Sequence, residues 1–109
     1  MRTLLCEINT TPGDFDGNVR QIKNAIAEGY KHRADLIVFP ELSIPGYLMR
    51  DMIFDSDFIE RNLKALEEIK AYSDVIARTQ TAHKHPVIVV GYADHNRSGV
   101  GKPFRNMAA

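Results

Sequence analysis

The chain is expected to fold as an α/β protein built on a parallel β-α-β unit. Three features of the sequence point there. A short apolar run at Leu36-Ile37-Val38-Phe39 is preceded by a charge, Asp35, and closed by Pro40, the pattern of a strand buried on both faces. A second such run follows at Val87-Ile88-Val89-Val90-Gly91. Between and before the strands lie two stretches whose apolar residues recur at helical spacing.

Taken in order, Thr3 to Asn9 alternates weakly, with Leu4, Cys6 and Ile8 on one side and Leu5 and Glu7 on the other, and reads as the first strand. Thr10-Thr11-Pro12-Gly13-Asp14 has the composition of a turn. Asp16 is then placed to cap a helix starting near Gly17. Val19, Ile22, Ile26 and Gly29/Tyr30 form its apolar stripe, with Arg20, Lys23, Asn24 and Glu28 opposite. Gly29 and the Lys31-His32-Arg33 run suit the helix end, where cations meet the negative end of the dipole. The Leu36–Phe39 strand comes next and must stop at Pro40, which has no N–H to donate. Strand, helix and strand in this order imply a parallel pair joined by a right-handed crossover.

Leu48 to Phe54 shows no period and reads as a loop. Ser56 or Asp57 is expected to cap a long second helix, Asp57 and Glu60 having the spacing of a capping box. Its buried stripe is Ile59, Leu63, Leu66, Ile69, Ser73 and Ile76, and Arg61, Lys64, Glu67, Glu68 and Lys70 face water. After the Val87–Gly91 strand, Asp94-His95-Asn96-Arg97-Ser98-Gly99 has the composition of a loop or hairpin turn. Lys102 to Ala109 reads as the approach to a fourth strand.

Composition narrows the function classes. With 109 residues the chain is one domain at most. Hydrophobic residues make up 44% and charged ones 26%, and the 14 Lys+Arg balance the 14 Asp+Glu. No basic excess suggests binding to nucleic acid or an anionic membrane. No apolar run approaches the ~20 residues of a membrane span. The N-terminus meets Glu7 too early for a signal peptide, and one cysteine rules out an internal disulfide framework. A cytoplasmic location is the expectation.

Glu41 is the candidate catalytic residue. It follows Pro40 at the carboxyl end of a predicted parallel strand, the edge at which open α/β sheets place their chemistry, and Pro45-Gly46 turns the chain just beyond it. Lying between two apolar stretches, its carboxylate is expected to be partly desolvated, which favours the protonated form and makes a better base for a thiol or water. A base still needs a nucleophile and an oxyanion stabiliser, which composition does not identify. The bland alternative is that Glu41 only caps a helix or pairs with an arginine.

Other candidates are weaker. The loop after the first strand has one glycine, Gly13, and neither G-x-G-x-x-G nor G-x-x-x-x-G-K-[ST] occurs. His83, His85 and His95, with Asp94, could be drawn together as metal ligands, but the first two lie at a helix exit, where surface histidine is common. Cys6 sits in an alternating apolar strand and reads as a small buried hydrophobe, with no helix N-terminus at hand to activate it.

Several of these residues carry a family likeness. The opening strand ending at Asn9, Gly13-Asp14 with Gly17-Asn18, Asp35-Leu36-Ile37-Val38-Phe39-Pro40-Glu41-Leu42 followed by Gly46-Tyr47, the Val87–Gly91 strand, and Asn106 before small residues together resemble the N-terminal part of the nitrilase, or carbon–nitrogen hydrolase, superfamily. Asp51-Met52 after Gly-Tyr, and Asp57-Phe58-Ile59 opening a helix, make the chain most similar to the glutaminase domain of glutamine-dependent NAD synthetases.

The resemblance implies an α-β-β-α sandwich and a Glu-Lys-Cys triad acting on a small-molecule amide, here glutamine, through a cysteine thioester. Glu41 matches the glutamate. Neither Lys102, which matches a variable turn, nor Cys6 matches the other two members. Residues 1–109 are therefore expected to be an incomplete N-terminal part of such a domain, inactive and poorly cooperative alone. No cofactor is expected in this chain, ATP belonging to a separate synthetase domain. A homo-oligomer is expected of the full-length protein. The alternatives are a free-standing amidase or carbamoylase of the superfamily, and a non-catalytic remnant.

Overall fold

The computed structural model describes residues 1–47, 55–79, 85–98 and 104–109. The elements run β1 (Thr3–Leu5), α1 (Phe15–Lys31), β2 (Leu36–Val38), α2 (Ser56–Thr79), β3 (Val87–Val89), β4 (Gly91–His95) and β5 (Phe104–Ala108). The first three strands form a parallel sheet in the order β1-β2-β3, and β4 pairs antiparallel with β5. The α/β class and the parallel β-α-β unit are thus as the periodicities imply. Of an α-β-β-α stack, the described residues form a helical layer and the strands beneath it. The expected loop at Leu48–Phe54, together with Asp51 and Met52, lies outside the described residues.

β1 ends at Leu5 and not at Asn9, and Pro40 explains the difference. Even-numbered residues of β2 bond toward β1: Leu36 N donates to Arg2 O at 3.3 Å, and Val38 O accepts from Cys6 N at 2.9 Å. The next rung on that side would need an N–H from Pro40, which has none. Residue 39 faces the other way and still donates to Val89 O at 2.9 Å.

α1 begins at Phe15, two residues before the expected start, and its cap is Asp14. The Asp14 carboxylate accepts from Gly17 N at 3.1 Å, while Asp16 lies in the first turn, where an acid still complements the dipole. Replacing Asp14 by Ala should cost about 1 kcal/mol, read from the urea unfolding midpoint. At the other end Arg33 takes the left-handed conformation at φ 56°. Ala34 N bonds Gly29 O at 2.9 Å and Arg33 N bonds Tyr30 O at 3.1 Å, a Schellman closure without the usual glycine. Gly29 serves a different purpose: a Cβ there would collide with the Ile37 side chain.

α2 is capped by Asp55 rather than by Ser56 or Asp57. Its carboxylate accepts from Asp57 N at 3.0 Å, and its carbonyl accepts from Ile59 N at 3.3 Å. Glu60, expected to close a capping box, instead meets His95 Nε2 at 3.2 Å. On the inner stripe Ile59, Leu66 and Ile69 are buried as expected, whereas Leu63, Ser73 and Ile76 are half-buried. Phe58, Asn62 and Ala65 complete the buried face. Phe15 and Phe58 stack with centroids 5.1 Å apart, and Lys23 pairs with Glu68 at 2.8 Å, tying α1 to α2.

The core lies where Ile22 and Ile26 of α1, Ile59 of α2 and Ile37 of β2 meet, all with no exposed area. The opposite face of the parallel sheet is less covered than its apolar character suggests: Leu5 is 73% and Val87 63% exposed. The expected strand through Gly91 divides at Val90, where the chain turns from β2 toward β5. Val90 exchanges a reciprocal pair of hydrogen bonds with Ala109, both at 2.9 Å. Asp94 and His95, expected in a turn, are the last two residues of β4, paired with Arg105 and Phe104. The turn proper starts at Asn96. No helix among the described residues is long and apolar enough to cross a membrane.

Candidate active site

Glu41 stands at the carboxyl end of β2, on a tight loop whose backbone is held from three directions. Odd-numbered residues of 87–95 turn their N–H and C=O groups toward β2 and whatever continues it. Val87 N bonds Asp35 O at 3.0 Å, and Val89 O accepts from Phe39. Once Pro40 ends the strand, the loop takes over this edge. Ile44 N donates to Gly91 O at 3.1 Å, and Gly91 N donates to Ser43 Oγ at 3.3 Å. Further along, Asn62 of α2 does the same for Ala93, donating to its carbonyl and accepting from its N–H at 3.1 Å.

From the second side, the buried Asn18 of α1 bridges two loops. Its Nδ2 donates to Ile44 O at 3.0 Å and Thr11 O at 2.9 Å, and its Oδ1 accepts from Thr11 N at 2.9 Å. Third, Gly13 N bonds Pro45 O at 2.9 Å. Gly46, at φ 93°, lies so near Pro12 that a Cβ would come within 2.6 Å of its backbone. The loop closes on itself through Gly46 N to Leu42 O at 3.0 Å, with Leu42 in the left-handed region at φ 51°, a conformation a branched apolar residue adopts only when its surroundings impose it.

Gly91 makes this close packing possible. A Cβ there would fall 2.5 Å from Leu42 N and 2.8 Å from Pro40 O, both backbone atoms. Gly91→Ala must therefore push the Glu41 loop away from β4, at a cost of about 1–3 kcal/mol. A urea midpoint unchanged by the substitution would show that the loop yields freely.

The Glu41 side chain itself is exposed, so the desolvation expected from its apolar flanks is not found. Those flanks, Ile37 and Phe39 before and Ile44 after, turn inward while the carboxylate projects outward. Its hydrogen-bond partner among the described residues is Asn106 of β5, whose Nδ2 donates to Glu41 Oε1. Both line a cleft of about 340 Å³ between the β2 loop and the β4–β5 hairpin, floored by Phe39, Val89 and Gly91. The arrangement presents, at the lining of an open cleft, a carboxylate with one oxygen held by an amide, a group that can accept a proton. Among the described residues no lysine or cysteine lines it.

The other candidates fall elsewhere. Cys6 is half-buried against the core, and burial raises its thiol above the ordinary value, which suits a small apolar residue better than a nucleophile. His85 stacks on Tyr30 with centroids 6.2 Å apart, and His95 pairs with Glu60, so these two are not gathered at one point. His83 and Lys102 lie outside the described residues. Among the described residues no three His, Cys, Asp or Glu side chains group as metal ligands. Sequence reasoning missed the roles of Asn18, Asn62 and Asn106. The signal for the first two was an asparagine on an otherwise apolar helical stripe.

Comparison with known proteins agrees with the fold. The profile of the carbon-nitrogen hydrolase family matches residues 3–107. The glutamine-dependent NAD(+) synthetase of Thermotoga maritima is 34% identical over 73 residues, covering 67% of this chain and 13% of that protein. A crystal structure of a glutamine-dependent NAD(+) synthetase from Cytophaga hutchinsonii superposes with a TM-score of 0.79 at 23% identity, covering 99% of this chain and 16% of that one. An amidase from Nesterenkonia sp. superposes with a TM-score of 0.69 at 20% identity, over 86% of this chain and 32% of the amidase. At these identities the two superpositions speak to the fold alone. The chain spans about 10–16% of the length of the curated relatives it matches.

Proposed function

The chain belongs to the carbon–nitrogen hydrolase family, and on that premise we propose that it supplies the general base of a cysteine-dependent amide hydrolase acting on glutamine to feed NAD synthesis. Residues 1–109 are read as the N-terminal part of that hydrolase domain. The observation that carries the reading is the Glu41 carboxylate, standing on a braced loop at the carboxyl end of a parallel strand and facing a cleft.

In this reading Glu41 takes the proton from a cysteine thiol, and the thiolate attacks the amide carbonyl carbon of glutamine. The oxyanion that forms is stabilised by a lysine. Collapse breaks the C–N bond, ammonia leaves with the proton Glu41 had taken, and a thioester remains. Glu41 then removes a proton from water, which attacks the thioester and releases glutamate and the thiol. The same reading assigns the cysteine and the lysine to the remainder of the hydrolase domain. ATP, in the same reading, is used by a synthetase domain and not by this chain, and the whole protein assembles as a homo-oligomer.

The test is a chimera in which this chain replaces the matching segment of the Thermotoga maritima synthetase. It should release ammonia from glutamine, and substitution of Glu41 should remove that activity. A chimera whose hydrolase domain unfolds cooperatively, and so is folded, yet leaves glutamine intact would overturn the proposal. Hydrolysis of other small amides in preference to glutamine would favour a free-standing amidase of the same superfamily.

A further inference from the structure

We propose that Asn106 is a positioning residue for Glu41, holding one carboxylate oxygen so that the other is aimed at the nucleophile's proton. The inference rests on Glu41 being the general base. A glutamate carries three side-chain torsions, and an exposed one samples many rotamers. General-base catalysis needs the accepting oxygen within hydrogen-bond reach of the proton, a tolerance of a few tenths of an ångström. The loop fixes the Glu41 backbone but not its carboxylate. The Asn106 amide is the group among the described residues that does so.

Asn106 is itself well anchored. It lies opposite Ala93 in the β4–β5 ladder, which the reciprocal Val90–Ala109 pair closes three rungs away, and Ala93 is clamped on its far edge by the buried Asn62. A continuous set of hydrogen bonds and strand pairing therefore runs from α2 through β4 and β5 to the carboxylate. The chemistry of the donor also fits. A neutral amide orients a carboxylate without placing a positive charge beside it, whereas an arginine or lysine in its place would form an ion pair. Aspartate has nearly the same shape but no donor at neutral pH, and would repel Glu41.

Two measurements test this. In the chimera, Asn106→Leu should lower kcat for glutamine hydrolysis about tenfold to a hundredfold, because the base is mispositioned, with KM held within about twofold and the circular dichroism spectrum unchanged. Asn106→Asp should lose at least as much, and Asn106→Gln, which restores a donor, should recover part of kcat. Unchanged kcat in both the Leu and Asp variants would overturn the proposal, as would equal losses in Leu, Asp and Gln variants.

The second readout does not depend on catalysis. In the chimera carrying 15N-labelled asparagine, the Asn106 side-chain amide resonances should move on Glu41→Ala. Resonances that stay in place would overturn the pairing directly. Activity that survives Glu41→Gln in the chimera would instead overturn the general-base reading, even with those resonances displaced, so the two failures are distinguishable.

Discussion

Glu41→Gln in the chimera is expected to slow glutamine hydrolysis by about 10²–10⁴-fold, the usual contribution of a positioned acid–base group. The substitution keeps the shape of the side chain. Its carbonyl oxygen can still accept from Asn106 Nδ2, the partner of the wild-type carboxylate. That contact orients the new amide so that its NH2 group occupies the place of the free oxygen. A donor would then face the thiol where an acceptor is needed. In the proposed mechanism the same group serves thiolate formation and water activation, so both halves of the reaction should slow, with kcat falling while KM changes little. Steady-state ammonia release measures the effect, and a loss below about threefold would count against any role in proton transfer.

Asn62→Leu should be strongly destabilising, at about 2–6 kcal/mol, while leaving the residues that line the cleft unsubstituted. The estimate takes 1–3 kcal/mol for each buried backbone group stranded, and Asn62 satisfies two of them, the N–H and C=O of Ala93. Leucine has as many side-chain heavy atoms as asparagine and is no smaller, so the effect cannot be assigned to a cavity. Asn62 and Ala93 have no exposed area, so water cannot replace the lost bonds without opening the structure. Hydrogen exchange at the Ala93 amide should accelerate by at least about a hundredfold, reflecting lost local stability. A protection factor like that of the wild-type chain would show that Ala93 finds other partners. Since β4 carries β5, the same substitution should also loosen Asn106 and lower kcat in the chimera.

How far the molecule was legible in its sequence depended on the range of the forces involved. Helix stripes and strands were readable because they arise from local periodicity: Val19, Ile22 and Ile26, or Leu36 to Phe39, carry the pattern within a few residues. Helix caps were read one or two residues too late in both cases. Several acids or hydroxyls compete near each start, and only the geometry of the first turn selects Asp14 over Asp16 and Asp55 over Ser56 and Asp57.

Glu41 was identified from the chain alone, by its place after Pro40 at a strand end. The sequence by itself determined the α/β class, the parallel β-α-β unit, the strand stop and the carboxylate beyond it, all consequences of local pattern and of the missing N–H of proline. Tertiary structure alone decided that this carboxylate projects into solvent, although apolar residues flank it on both sides. It also decided that Asn106, 65 positions away, is what holds it. A flanking sequence records hydrophobicity but not which way the loop turns, and a hydrogen bond across strands depends on register, set when β4 and β5 pair. That Gly91 must be a glycine follows from the same assembly, because the backbone of the Glu41 loop occupies the space a side chain would need.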